Sequence, residues 1–324
     1  MAKAKQNVFH ESKEPKGLPI IKGYDFNKGV NHNAIIDSFA NTGFQSSQLS
    51  EAIKIINEMR KSKCKIILGY TSNMVTSGLR DIFRYLTEHK MVDIIVTTGG
   101  GVEEDIIKCL GNFYLGEFTA DGKKLREQGI NRAGNIFIPN QRYIDFEKFI
   151  QPILKDLLRE QKESNEIASP SEIIWKLGKA IDSRESIYYW AQKNKIPVYC
   201  PAIVDGSIGD MVYFFNTNNN LLIDTAQDLR KFNDEIIFAK KTGIIILGGG
   251  LVKHHICNAN MLRNGADYAV YINTHQEYDG SDAGARPDEA VSWGKILPDA
   301  KMVKVYGDAT ILFPLIVEQT FAKK

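Results

Sequence analysis

The densest run of chemically useful side chains is NTHQEYDGSDAGARPDEAVSWGK, residues 273–295. It sets Glu277, Asp279, Asp282, Asp288 and Glu289 beside Tyr278 and Trp293, with Arg286 and Lys295 as its cations. Carboxylates pair with the N–H groups of an alkylammonium ion, and an indole face adds cation–π attraction. The pattern therefore suits a cationic amine ligand, although a solvated surface loop would have the same composition. Lys295 closes the run beside the apolar Ile296. A lysine amine becomes nucleophilic only when burial or a nearby cation lowers its pKa from about 10.4. Most lysines are simply surface residues.

Other polar clusters follow short apolar runs. TSNMVTSG (71–78) has the small hydroxyl and amide residues that can present backbone N–H groups to a phosphate, or merely cap a helix. GGGVEED (99–105) allows close backbone approach and then supplies Glu103, Glu104 and Asp105. Acids there complement a helix dipole or meet a cation or a ribose. DGSIGD (205–210) brings Asp205 and Asp210, and GLVKHHICNAN (250–260) brings His254, His255 and Asn258. Adjacent histidines diverge on a helix, so they make a poor metal pair, and no metal site is expected. None of the glycine clusters is a full GxGxxG, so any nucleotide site is built differently from the usual fingerprint. Cys64, Cys109, Cys200 and Cys257 lie too far apart for a zinc or disulfide framework and fit a reducing compartment.

These clusters need a frame. KIILGY (65–70), DIIVTT (93–98), NIFIP (135–139), PVYCPAIV (197–204), GIIILGG (243–249), YAVYIN (268–273) and MVKVYG (302–307) read as strands covered on both faces. Between them, 49–62, 77–89 and 147–161 carry apolar residues at helical spacing. Alternating strand and helix predicts an α/β fold with a doubly wound, mainly parallel sheet and helices on both faces, Rossmann-like without a standard GxGxxG. In such sheets ligands sit beyond the carboxyl ends of the strands. Residues 1–19 are polar and read as an N-terminal arm before a single α/β domain over 20–324, with a surface loop at 162–172 and Ser171 as the cap of the next helix.

Bulk properties limit the function. The 324 residues are 43% hydrophobic and 25% charged, enough for a large core. The net charge of +2 argues against a general nucleic-acid binder but leaves room for local clusters that cancel. There is no secretory h-region and no apolar run of membrane-spanning length, so a cytoplasmic chain with no membrane partner is expected.

Longer motifs carry a resemblance. GYTSNMVTSG (69–78), VTTGGGVEED (96–105), YLGEF (114–118), GINRAGN (129–135), YYWAQKN (188–194) and DGSIGDM (205–211) occur in order. They continue with ILGGGLVKHHICNANMLRNGADYAVYINT (246–274), DGSDAGARPDEAVSWGK (279–295) and VYGDATILFPL (305–315). Together they resemble the deoxyhypusine synthase family along almost the whole chain. The resemblance implies transfer of the 4-aminobutyl group of spermidine to one lysine of the eIF5A precursor. NAD accepts hydride and returns it, and an enzyme lysine carries the butyl group as an imine.

By the same resemblance, Lys295 is the imine-forming residue and His254 handles protons near the reacting carbon. Spermidine contacts are implied at Glu103, Glu104, Asp210, His254, Gly280, Ser281, Asp282, Glu289, Trp293 and Lys295. NAD contacts are implied at Ser72, Asn73, Met74, Val75, Thr76, Thr98, Gly99, Gly100, Glu104, Asp205, Gly249, Thr274, His275, Asp308 and Ala309. His275 and Gly99 stand where the family often has Ala, and Ala283 where it often has Ser. The family also implies a homotetramer of paired dimers with sites between subunits. Competing readings are a homospermidine synthase, a catalytically idle regulatory paralogue, and a generic NAD-dependent redox enzyme.

Overall fold

Strands that are apolar on nearly every residue belong in the middle of a sheet, where both faces are covered. In the computed structural model, which describes residues 1–323, nine strands form. They are β1 (Lys65–Tyr70), β2 (Ile94–Val96), β3 (Tyr114–Leu115), β4 (Ile130–Ala133), β5 (Ile136–Pro139), β6 (Val198–Tyr199), β7 (Thr242–Leu247), β8 (Ala266–Asn273) and β9 (Ile296–Tyr306). Six of them make one parallel sheet in the order β6-β2-β1-β7-β8-β9, as the alternation of strand and helix predicts. β1 and β7 run in register from Lys65↔Thr242 to Tyr70↔Leu247 and are buried almost throughout. Counted along the chain, this is the order 3-2-1-4-5-6 of a dinucleotide fold, reversing direction between its two central strands.

Each face carries its own helices. On one, Ile67, Val96, Ile244, Ile246 and Tyr271 pack with Phe232 and Ile236 of the helix Thr225–Ile237 and Val252 and Ile256 of the helix Gly250–Leu262. Gly69 lets that second helix press on β1: a Cβ there would lie 2.9 Å from Val252 Cγ1. On the other face Tyr70 stacks on Phe83 of the helix Leu79–Glu88, centroids 4.2 Å apart, and Phe83 meets Phe313 of the helix Ala309–Gln319. The helix Gly99–Leu110 joins this face through the buried pair Arg80–Asp105.

Two expectations are corrected. Residues 135–139 do not enter the parallel sheet; β5 pairs with β3 and β4 in a separate antiparallel sheet of order β3-β5-β4. The cause is Gly134, whose φ of +60 turns β4 straight back onto β5 through a two-residue loop. The cap of the helix Pro170–Ile181 is Ser169 rather than Ser171. Pro170 occupies the first helical position, where its missing N–H costs nothing, and Glu172 reaches back to the Ser169 N–H at 2.9 Å. Ser171 instead donates from its N–H and hydroxyl to Asp228.

The chain divides into two units, Met1–Ser50 and the residues from Glu51 onward, and the latter holds both sheets. The former has a helix Ala2–Val8, a 3-10 turn Phe26–Lys28 capped by Asp25, and a helix His32–Thr42 capped by Asn31. Among the described residues no helix is long and apolar enough to cross a membrane.

Candidate active site

All six parallel strands end in segments that carry expected cofactor positions. β1 runs through Thr71 into the short helix Ser72–Thr76, and β2 runs through Thr98 into the helix starting at Gly99. Asp205 follows β6, Gly249 follows β7, Thr274 and His275 follow β8, and Asp308 and Ala309 follow β9. The strand order reverses between β1 and β7, the switch point at which open α/β sheets bind their ligands. Glycines let the segments close in: a Cβ on Gly100 would lie 2.7 Å from Ser72 Cβ, and one on Gly99 would lie 2.6 Å from the Asp205 carbonyl oxygen. The Thr98 hydroxyl is buried there without a hydrogen-bond partner, so this helix start has unused polar capacity. Other positions already have local work. Met74, Val75 and Ala309 are buried, and the Asp308 carboxylate caps its helix by accepting from the Thr310 N–H at 2.8 Å.

Three acids gather by the β2 and β6 ends. Glu103 is buried and accepts from the Ile208 N–H at 2.7 Å. Burial raises its pKa, backbone hydrogen bonds at 207 and 208 oppose this, and the charge of Asp210 adds to it. The Thr76 hydroxyl donates to Glu104. Burial pushes Glu104 up to about 7, against the Thr76 hydrogen bond and with the charge of Glu103. Lys108 has no place in the sequence reading. Its ammonium donates to the carbonyls of Val75, Thr76 and Ser77 at 2.6, 2.6 and 2.9 Å, and burial pushes it down to about 8. It ties the short helix after β1 to the acids after β2. The only sequence signal is its place four residues after Glu104 on one helix.

The rest of the expected substrate set surrounds a pocket of about 340 Å³ beside the helix Gly250–Leu262. His254, Gly280, Asp282, Glu289, Trp293 and Lys295 all line it; Ser281 does not. Lys295 Nζ stands 5.6 Å from the Trp293 ring centroid. Among the described residues its ammonium makes no hydrogen bond or ion pair. The second lysine of the pocket, Lys253, is the opposite case: it is buried, donates to the Asp282 and Ala285 carbonyls, and sits 5.0 Å from the Tyr271 ring. Of the two amines, Lys295 is the one without a polar partner among the described residues. One carboxylate oxygen of Asp282 is buried with no partner, which leaves an acceptor ready for a cationic N–H. His254 is exposed, within 3.3 Å of Asn258 Nδ2. His255 points away, stacked on Phe232, and burial pushes it down to about 4. The two histidines diverge as their adjacency predicts.

Glu103, Glu104 and Asp210 do not line the Lys295 pocket. The helix bearing Glu103 and Glu104 lies on one face of the sheet, and the helix flanking the pocket lies on the other. Trp293 remains 64% exposed.

A family model described as deoxyhypusine synthase matches residues 34–320. The chain belongs to the deoxyhypusine synthase family. It is 54% identical to a deoxyhypusine synthase of Senecio vernalis, covering 98% of this chain and 93% of that one. It is also 53% identical to a homospermidine synthase of Senecio vulgaris, covering 99% and 94%. A solved chain from Entamoeba histolytica assigned as a deoxyhypusine synthase superposes with a TM-score of 0.68 at 38% identity, covering 94% of this chain and 97% of the other. Relatives of both names therefore stand at similar identity to this chain.

Proposed function

We propose that the chain is a deoxyhypusine synthase that moves the aminobutyl group of spermidine onto one lysine of the eIF5A precursor, with NAD as cofactor. The observation that carries this reading is the pocket that gathers a free lysine amine, an indole face, and a carboxylate with an unused buried oxygen: Lys295, Trp293 and Asp282. A polyamine offers that set a cationic chain and a displaceable nitrogen.

The strand ends at this switch point suit a dinucleotide. The unpartnered Thr98 hydroxyl and the bare backbone at Gly99 and Gly100 would meet its phosphates or ribose, and Glu104 and Asp205 would accept from ribose hydroxyls. NAD, when bound, supplies a reversible hydride acceptor. The chain's own residues then bind and transfer. Asp282 and Glu289 pair with the ammonium groups, and Trp293 covers the alkyl chain. The Lys295 nitrogen forms its bond to the activated carbon as the diaminopropane nitrogen leaves with a proton, which His254 delivers. The acceptor lysine later displaces Lys295 in the same way.

A second copy of the chain would complete the site. The exposed Trp293 and the placement of the two residue groups on opposite faces favour the subunit-interface arrangement implied by the family. The second reading, homospermidine synthase, is supported by the similar identity of relatives with that name. The test is borohydride trapping with spermidine and NAD, followed by peptide mapping, with the eIF5A precursor and putrescine then offered as competing acceptors. A butylamine adduct on Lys295 and label on the precursor are expected. An adduct elsewhere, or none during turnover, overturns the mechanism; label only on putrescine overturns the acceptor.

A further inference from the structure

The acid-bearing segment 275–285 is held by its backbone from two sides. From the helix Gly250–Leu262, the Lys253 ammonium donates to the carbonyl oxygens of Asp282 and, at 2.8 Å, Ala285. From β9, the Lys304 ammonium donates to the carbonyl oxygens of His275 at 2.7 Å and Gly284 at 2.5 Å. Both lysines spend two donors on one segment: Lys253 on carbonyls among its last four residues, and Lys304 on one at its start and one near its end. Glycines remove what would push the segment away. A Cβ on Gly249 would lie 2.7 Å from Ala283 Cα, and one on Gly284 would overlap the Gln276 carbonyl oxygen. The segment thus folds back on itself, with the Lys304 ammonium spanning the turn and the Lys253 ammonium holding its last residues.

Burying an ammonium is unfavourable unless its donors are used. Lys253 is 2% exposed, and burial lowers its pKa; the Lys304 pKa is lowered by burial too. A lysine as buried as Lys253 costs more than an apolar side chain unless its ammonium has such partners. What the two lysines provide is a fixed path for the peptides that follow Asp282, Gly284 and Ala285. Asp282, which lines the pocket and keeps one carboxylate oxygen without a partner, is then held in place before any ligand arrives. Preorganisation of this kind lowers the ordering cost of binding.

We propose that Lys253 and Lys304 are positioning residues that strap the segment 275–285 into the shape that presents Asp282 to a polyamine. This rests on the spermidine reading of the pocket. Neither lysine forms a bond to substrate. Their action is on affinity for the cationic ligand, through the carboxylate they aim.

Lys253→Met and Lys304→Met, which keep the stem and delete the ammonium, test this in the full-length protein. Hydrogen exchange of the ligand-free variants should quicken about tenfold at amides 276–285 and stay unchanged in β7 and β8. In steady-state assays the spermidine KM should rise about tenfold, by a larger factor than kcat falls. Unchanged exchange in the segment overturns the strap. Quickened exchange with an unmoved spermidine KM, or with kcat alone reduced, overturns the positioning role. Lys304 is only half-buried, so its variant keeps the test open if Lys253→Met does not fold. If wild type shows no turnover of spermidine the functional reading fails, while the exchange measurement still judges the strap.

Discussion

Arg80 Nε donates to the Asp105 carboxylate at 2.7 Å, with the acid fully buried and the guanidinium nearly so. The same carboxylate accepts from the Ser186 hydroxyl at 2.5 Å and the Ile187 N–H at 3.1 Å, so one side chain joins three helices. Removing it strands a buried cation. Asp105→Ala should cost about 3–5 kcal/mol of stability, read as a lowered midpoint in denaturant unfolding. Arg80→Met with Asp105→Leu together should cost less than Asp105→Ala alone.

Lys295→Arg keeps the positive charge and removes the nucleophile, because a guanidinium does not lose its proton at working pH. Aminobutyl transfer should fall by about 10³-fold or more, with circular dichroism and NAD affinity unchanged. Transfer at the wild-type rate would show that another amine carries the group.

Trp293→Ala removes the ring beside the Lys295 ammonium. A cation–π contact is worth about 0.5–2 kcal/mol, so the spermidine KM should rise about twofold to thirtyfold. Quenching of tryptophan fluorescence by added spermidine should also weaken in this variant.

Glu104 gives a pH dependence whose sign is fixed. Its folded pKa is raised from 4.5 to about 7, so the folded chain holds this proton more tightly than the unfolded chain. The group therefore adds stability below about pH 4.5 that is lost as pH rises through about 7. In Glu104→Gln the drop in thermal midpoint between about pH 5 and pH 8 should be smaller than in wild type. An equal drop would place the titration elsewhere.

The cysteines should be inert. Cys64, Cys200 and Cys257 are buried and Cys109 is half-buried; burial pushes Cys64 and Cys109 up to about 11 and raises the other two. The thiolate is the reactive species, so iodoacetamide at about pH 7.5 should leave all four unmodified in the native protein by mass spectrometry.

The strands of the main sheet were legible because runs such as KIILGY and GIIILGG have no polar face, and the helices because apolar residues recur on one side. The order β6-β2-β1-β7-β8-β9 was not, since pairing between segments far apart in sequence leaves no local mark. The apolar run 135–139 misled for a related reason: only the turn at Gly134 reveals that its partner is the preceding strand. Within the site, Lys295, Trp293 and Asp282 were found by motif and share one pocket. Lys253 and Lys304 escaped because a lysine is ordinarily a surface residue and the carbonyls that hold them belong to a loop about 20 to 30 residues away.

The opposite placement of Glu104 and Lys295 about the sheet has a genetic reading. If one subunit's acids serve the partner's lysine, a chain defective at Glu104 and a chain defective at Lys295 are each inactive alone. Co-expressed, they would assemble hybrids in which one composite centre carries both lesions and the other carries none. Two null alleles of this kind would complement, and the recovered activity would count the intact centres.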